Sequence, residues 1–179
     1  MKNRLSAVMV VGMILMSFLI GSCGGGETGP LTAKSVLVDA KGVKVAEATL
    51  TETPQGVKIV VKAENLPPGI HGFHIHEKGV CAAPDFAAAG GHFNPFGKKH
   101  GLKSSLGPHA GDLPNIYVGP DGKGALEATA TLVTLKAGKP NSLFQPGGTS
   151  LVIHANPDDD FTDPAGNAGA RIACGVISK

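Results

Sequence analysis

Glycine and proline punctuation limits what this chain can fold into more than any other feature. The chain holds 26 Gly and 13 Pro in 179 residues, and from Leu31 onward the apolar runs are cut into pieces of roughly ten residues, the length of strands joined by reversals. Lys34–Ala40 alternates in part, and Lys41-Gly42 reads as a turn. Val43–Thr53 follows, then a turn at Pro54-Gln55-Gly56, then Val57–Ala63, ended by Leu66-Pro67-Pro68-Gly69. Ile70–Glu77 is the fourth run, and Asn115–Val118, Ala125–Leu135, Ser150–Ala155 and Ala170–Ser178 complete a predicted set of eight strands. Such spacing predicts an all-β antiparallel barrel or sandwich in one domain.

Two stretches break the rhythm. Residues 78–114 are dense in Gly, Pro, His and Lys and show no period. Asn156–Ala168 is irregular and carries four aspartates. Loops of this length in a compact domain carry function or lack order.

The chain begins MKNRL, with Lys2 and Arg4, and continues into the uncharged run Ser6–Gly21. A basic start, an apolar stretch and small residues form a secretory signal over residues 1–22. The ending Leu19-Ile20-Gly21-Ser22-Cys23 resembles a bacterial lipobox, which implies cleavage before Cys23 and acylation of its thiol. Residues 23–33 then form a flexible tether, and residues 34–179 form the domain. The expected location is the cell envelope or periplasm, with membrane contact only through the lipid at Cys23. Without Lys2 and Arg4, 14 basic residues balance 14 acidic ones, so no basic field for nucleic acid remains. Cys81 and Cys174 are the other cysteines, and in an exported chain their default state is a disulfide.

Histidine placement points to a metal. Strand side chains alternate faces, so His74 and His76 share one face and His71 takes the other, as a bystander or a rim residue. Alone, a His-x-His is more often two surface histidines than a site. The long loop adds His92, His100, His109 and Asp112, a nitrogen and oxygen set suited to tetrahedral zinc. His154 in SLVIHA adds an imidazole to the strand pair, and imidazole-rich coordination suits Cu(II).

GFHIHE (Gly72–Glu77), GGHFNP (Gly90–Pro95), KHG (Lys99–Gly101), HAGDLPN (His109–Asn115) and GNAGARIACGVI (Gly166–Ile177) resemble the Cu/Zn superoxide dismutase family, in order, over about residues 34–179. The resemblance implies an eight-stranded Greek-key barrel with two functional loops. It implies copper held by His74, His76, His92 and His154, and zinc held by His92, His100, His109 and Asp112, with His92 shared between them. It further implies that Asp158 links His74 to His100, with Asp159 as the neighbouring alternative, that Cys81 pairs with Cys174, and that Arg171 stands above the copper. The implied activity is conversion of superoxide to O₂ and hydrogen peroxide by Cu(II)/Cu(I) cycling, with His92 taking up and returning a proton. The alternative from another class is a non-catalytic exported protein that stores or delivers copper and zinc. The family includes monomers and dimers, so a homodimer is among the assemblies it allows.

Two departures from eukaryotic relatives stand out. The second loop, ANPDDDFTDPAGNAGAR, has no lysine, and Ala165 stands where those relatives place a threonine at the channel rim. Lys78, Lys98, Lys99 and Lys103 of the first loop are the candidates for the missing positive charge.

Overall fold

A computed structural model describes residues 29–179. The proposed signal and Cys23 lie outside the described residues.

Nine antiparallel strands form one sheet: β1 (Thr32–Val38), β2 (Lys44–Thr53), β3 (Gly56–Ala63), β4 (Gly69–His71), β5 (Phe73–His76), β6 (Ile116–Val118), β7 (Gly124–Ala130), β8 (Ser150–His154) and β9 (Arg171–Val176). Their order is β4-β6-β7-β3-β2-β1-β9-β8-β5. The two ends of that order, β4 and β5, are consecutive in the chain, so the sheet curls into a nearly closed barrel.

Nine strands stand where eight were expected because Ile70–Glu77 is split. At Gly72 the chain leaves β6, the partner of β4, and joins β8, the partner of β5. A Cβ on Gly72 would stand 2.8 Å from the Ala168 Cβ, so the seam needs a residue without one. The run Ala125–Leu135 also stops early, at Ala130. Beyond it, the Leu135 N–H and the Thr134 hydroxyl donate to the Glu52 carboxylate at 2.6 and 2.8 Å, in place of ladder bonds. The first strand opens at Thr32, inside the stretch expected as tether, and the Glu52 N–H donates to the Leu31 carbonyl at 2.8 Å.

Alternation places the core. In β1 and β3 every second residue is buried, and Ala33, Leu37, Val57, Ile59, Val61 and Ala63 point inward. β5 and β8 are buried on both faces. Their odd positions, Phe73, Ile75, Leu151 and Ile153, join the barrel core. Their even positions, among them His74, His76, Val152 and His154, face outward and are still buried. What covers them is the irregular chain between β5 and β6 and between β8 and β9.

Candidate metal centre

The β5–β6 connection folds back along the outer face of β5. Phe93 N–H donates to the Ile75 carbonyl at 2.8 Å, and Ile75 N–H donates to the Gly111 carbonyl at 2.9 Å. These bonds set His76 opposite His92 and His74 opposite Asp112. The free edge of β5 is thus paired, as an edge strand under a loop must be.

Two four-residue groups result. His74, His76, His92 and His154 are all buried, with ligand atoms within 4.8 Å of one another, and so are His92, His100, His109 and Asp112. His92 belongs to both. Its ring stacks on His74 with centroids 3.9 Å apart.

Hydrogen bonds fix which nitrogen of each ring is free. His76 donates Nδ1–H to the Gly90 carbonyl at 3.0 Å, and His154 donates Nδ1–H to the Gly169 carbonyl at 3.2 Å. Their bare Nε2 atoms face each other at 3.3 Å. His74 donates Nε2–H to Asp158 Oδ2 at 2.6 Å, and its Nδ1 is buried without a partner. His100 donates Nε2–H to Asp158 Oδ1 at 3.0 Å, turning Nδ1 toward Asp112. The Nδ1 atoms of His92, His100 and His109 lie 2.9, 3.1 and 3.4 Å from Asp112 Oδ1. His92 Nε2 and His109 Nδ1 are further buried atoms without a partner.

An unpaired buried polar atom costs about 1–3 kcal/mol. Several converging lone pairs are accounted for by cations that accept them. The donor set fits two metals: four imidazole nitrogens on one side suit copper, and three imidazoles with a carboxylate on the other suit zinc.

Electrostatics agree. Burial pushes His76 down to about 2, His154 to about 3 and His92 to about 4, so these rings are the neutral bases that ligation requires. Burial also opposes charge on His100, but hydrogen bonds to Asp112 and Asp158 outweigh it and push the ring up to about 10. The positive charge those carboxylates invite is one that a zinc ion supplies. Burial alone would raise Asp112, yet hydrogen bonds from His100, His92 and the backbone N–H groups of Gly101 and His109 hold it far below the usual carboxylate range. Asp158 is likewise an anion: burial opposes its charge, and His100 and His74 overcome that. A Cβ on Gly166, where φ is +62°, would overlap the Asp158 carboxylate. Only glycine lets that carboxylate reach both rings.

Arg171 reaches this face through an irregularity. Ile153 pairs with Ala173, but His154 pairs with Arg171, so Ile172 is an extra residue. Strict alternation would give Arg171 the inward face of Ala173, and the bulge turns it out beside His154. Its guanidinium donates to the Phe86 and Gly90 carbonyls, both at 2.6 Å. It lines a pocket of about 410 Å³ with Pro84, Asp85, Ala87, Gly169 and Ala170. A larger cavity, about 610 Å³, lies by Leu31, Leu135, Phe144 and Lys179 and has no metal-ligating side chain in its lining.

Cys81 and Cys174 form a disulfide with Cα atoms 5.5 Å apart. They pack with Phe86, Ala89 and Val152 in a second small core outside the barrel.

Two expectations change. His71 is buried at 3% exposure, not at a rim, and belongs to neither metal group. Its Nδ1 lies 2.8 Å from the His154 carbonyl and its Nε2 lies 2.8 Å from the Pro67 carbonyl, so it braces the backbone of His154 from inside. Two of the candidate steering lysines are already paired: Lys99 with Asp163 and Lys103 with Asp160, each at 2.9 Å. They clasp one loop to the other.

The carbonyls of Phe86, Gly90 and Gly169 were not readable beforehand, since a backbone acceptor carries no side-chain signature. The family profile described as copper/zinc superoxide dismutase (SODC) matches residues 44–177. Superoxide dismutase [Cu-Zn] 2 of Aquifex aeolicus is 49% identical, covering 98% of this chain and 99% of that protein. Superoxide dismutase [Cu-Zn] 1 of the same organism is 56% identical over 79% of this chain and 84% of that protein. The crystal structure of a SOD-like protein from Bacillus subtilis superposes with a TM-score of 0.77 at 43% identity, covering 80% of this chain and 96% of that one. A buried cluster with one histidine shared between two ligand sets, and these likenesses over nearly all of the described chain, lead to one conclusion: the chain belongs to the copper/zinc superoxide dismutase family.

Proposed function

We propose that this chain converts superoxide to O₂ and hydrogen peroxide, with copper held by His74 Nδ1 and the Nε2 atoms of His76, His92 and His154. In the same reading, zinc is held by the Nδ1 atoms of His92, His100 and His109 and by Asp112. The observation that carries it is the sharing of His92 between two buried groups whose free lone pairs converge. Bound copper supplies the one-electron couple, which zinc lacks.

Two superoxide anions and two protons give one O₂ and one hydrogen peroxide. The residues supply the proton handling and the anion binding. His92 is the group suited to pass a proton at Nε2, because its Nδ1 is turned to Asp112 and the zinc ligands and burial makes its ring a weak base. Arg171 keeps its positive charge and is fixed by two carbonyls, which leaves its remaining N–H donors for a small anion in the adjoining pocket. The aspartates join the loops and hold the ring tautomers.

Superoxide decay measured on protein loaded with copper and zinc tests this. Wild type is expected to far outpace the same metals free in buffer. Arg171→Ala is expected to lower kcat/KM by roughly 10–100-fold through lost anion attraction, with Arg171→Lys between them. A wild type no faster than free metal, or an Arg171→Ala variant at full rate, would sink the reading. A protein that only stores or delivers metal has no use for a fixed arginine beside the copper ligands.

The same proposal includes export. The basic start, apolar run and Leu19–Cys23 ending support a signal over residues 1–22 and a lipid on Cys23. Cys23→Ser is expected to move the protein from the membrane to the soluble fraction after cell lysis and fractionation. Equal membrane retention in both proteins would count against the anchor.

A further inference from the structure

Asp158 stands at the centre of the arrangement, accepting hydrogen bonds from copper-side His74 and zinc-side His100. It sits in an irregular loop, so something must hold its backbone. Asn115 does this in a way that only an amide can. Its Nδ2 donates to the Asp158 carbonyl at 2.8 Å, and its Oδ1 accepts the Asp158 N–H at 2.8 Å. The donor on one side and the acceptor on the other settle which way the amide points. Asn115 is also three residues beyond Asp112, the carboxylate of the zinc group, and directly precedes β6. The β6 strand is part of the barrel wall, so the amide ties the second loop to a rigid element.

We propose that Asn115 is a positioning residue for both metals: it fixes Asp158, and through Asp158 the rings of His74 and His100. The inference rests on the ligand reading above. Hydrogen-bonded partners of metal ligands are typically worth 10–100-fold in metal affinity. Because Asn115 touches no ligand and acts only through Asp158, its effect must vanish once Asp158 can no longer bridge the rings. A residue of general structural value behaves differently, since distant and independent losses add.

The test is a double-mutant cycle on zinc affinity, read by chelator competition on full-length protein carrying both metals. Asn115→Ala and Asp158→Asn are each expected to weaken zinc by roughly 10–100-fold, and the double variant to be no weaker than Asp158→Asn alone. Asn115→Asp keeps the acceptor and loses the donor, and is expected to fall between wild type and Asn115→Ala. Should Asn115→Ala fail to fold, Asn115→Asp carries the same cycle. A second measurement needs neither metal nor activity. In NMR of the metal-free protein, the His74 and His100 Nε2–H protons are expected to exchange with water on the order of 10-fold faster in Asn115→Ala. Wild-type zinc affinity and exchange in Asn115→Ala, with loss in Asp158→Asn, overturns the role of Asn115 and leaves the ligand reading intact. Additive losses in the double variant also overturn it. No loss in Asp158→Asn removes the bridge itself, and the inference with it.

Discussion

His92→Ala is expected to empty both metal positions at once, a result that no other ligand substitution should produce. Zinc and copper content, measured by elemental analysis after dialysis, should both fall well below one per chain. Superoxide-decay activity should drop by more than roughly 100-fold, beyond what loss of a supporting hydrogen bond does. His92 is the single residue present in both groups, and its Nδ1 and Nε2 face opposite ligand sets. His109→Ala makes the control, because His109 belongs to one group only. It should lose zinc and keep copper. Full copper retention in His92→Ala would mean that the shared ring is not shared in solution.

Cys81→Ser should be the most destabilising change away from the metals. The disulfide closes a loop spanning a sequence separation of 93 residues, for which chain entropy gives about 4–5 kcal/mol. At this chain size that corresponds to a melting temperature lower by roughly 10–20 °C. The loss should reach the site as well. Phe86 packs on the disulfide, and the carbonyls of Phe86 and Gly90 are what hold Arg171. Gly90 also receives the Nδ1–H of His76. Calorimetry and superoxide assays on the same sample decide the matter: a melting temperature unchanged by the substitution or by reductant would rule out the structural role. An activity unchanged at a temperature where the variant is folded would rule out the coupling to Arg171.

The histidine pair on β5 was legible in the sequence because strands have period two. His74 and His76 on one face, opposed to His71, follow from counting alone, and their outward orientation is what the structure shows. The remaining ligand assignments came from the motif resemblance, since nothing in the spacing of His92, His100, His109 and His154 says which rings meet. Three things stayed out of reach. The division of the fourth strand depends on a change of partner at Gly72, and periodicity does not encode partners. The brace beneath His154 involves two backbone carbonyls, and alternation alone marked His71 as idle. The lysines of the first loop read as free positive charge because their acidic partners, Asp160 and Asp163, are about sixty residues away along the chain. As exposed pairs they contribute little to stability, and of the four candidates only Lys78 and Lys98 stay outside such pairs.

The bulge at Ile172 sets a rule for anyone transplanting this centre onto another barrel. Copying the side chains onto a regular strand would deliver the four histidines and bury the arginine among aliphatic neighbours, because ideal alternation assigns its position to the interior. A designer must therefore import a defect together with the residues. Pairing the same residues without the bulge, a change that leaves every ligand in place, would turn the arginine inward and blind the centre to anions.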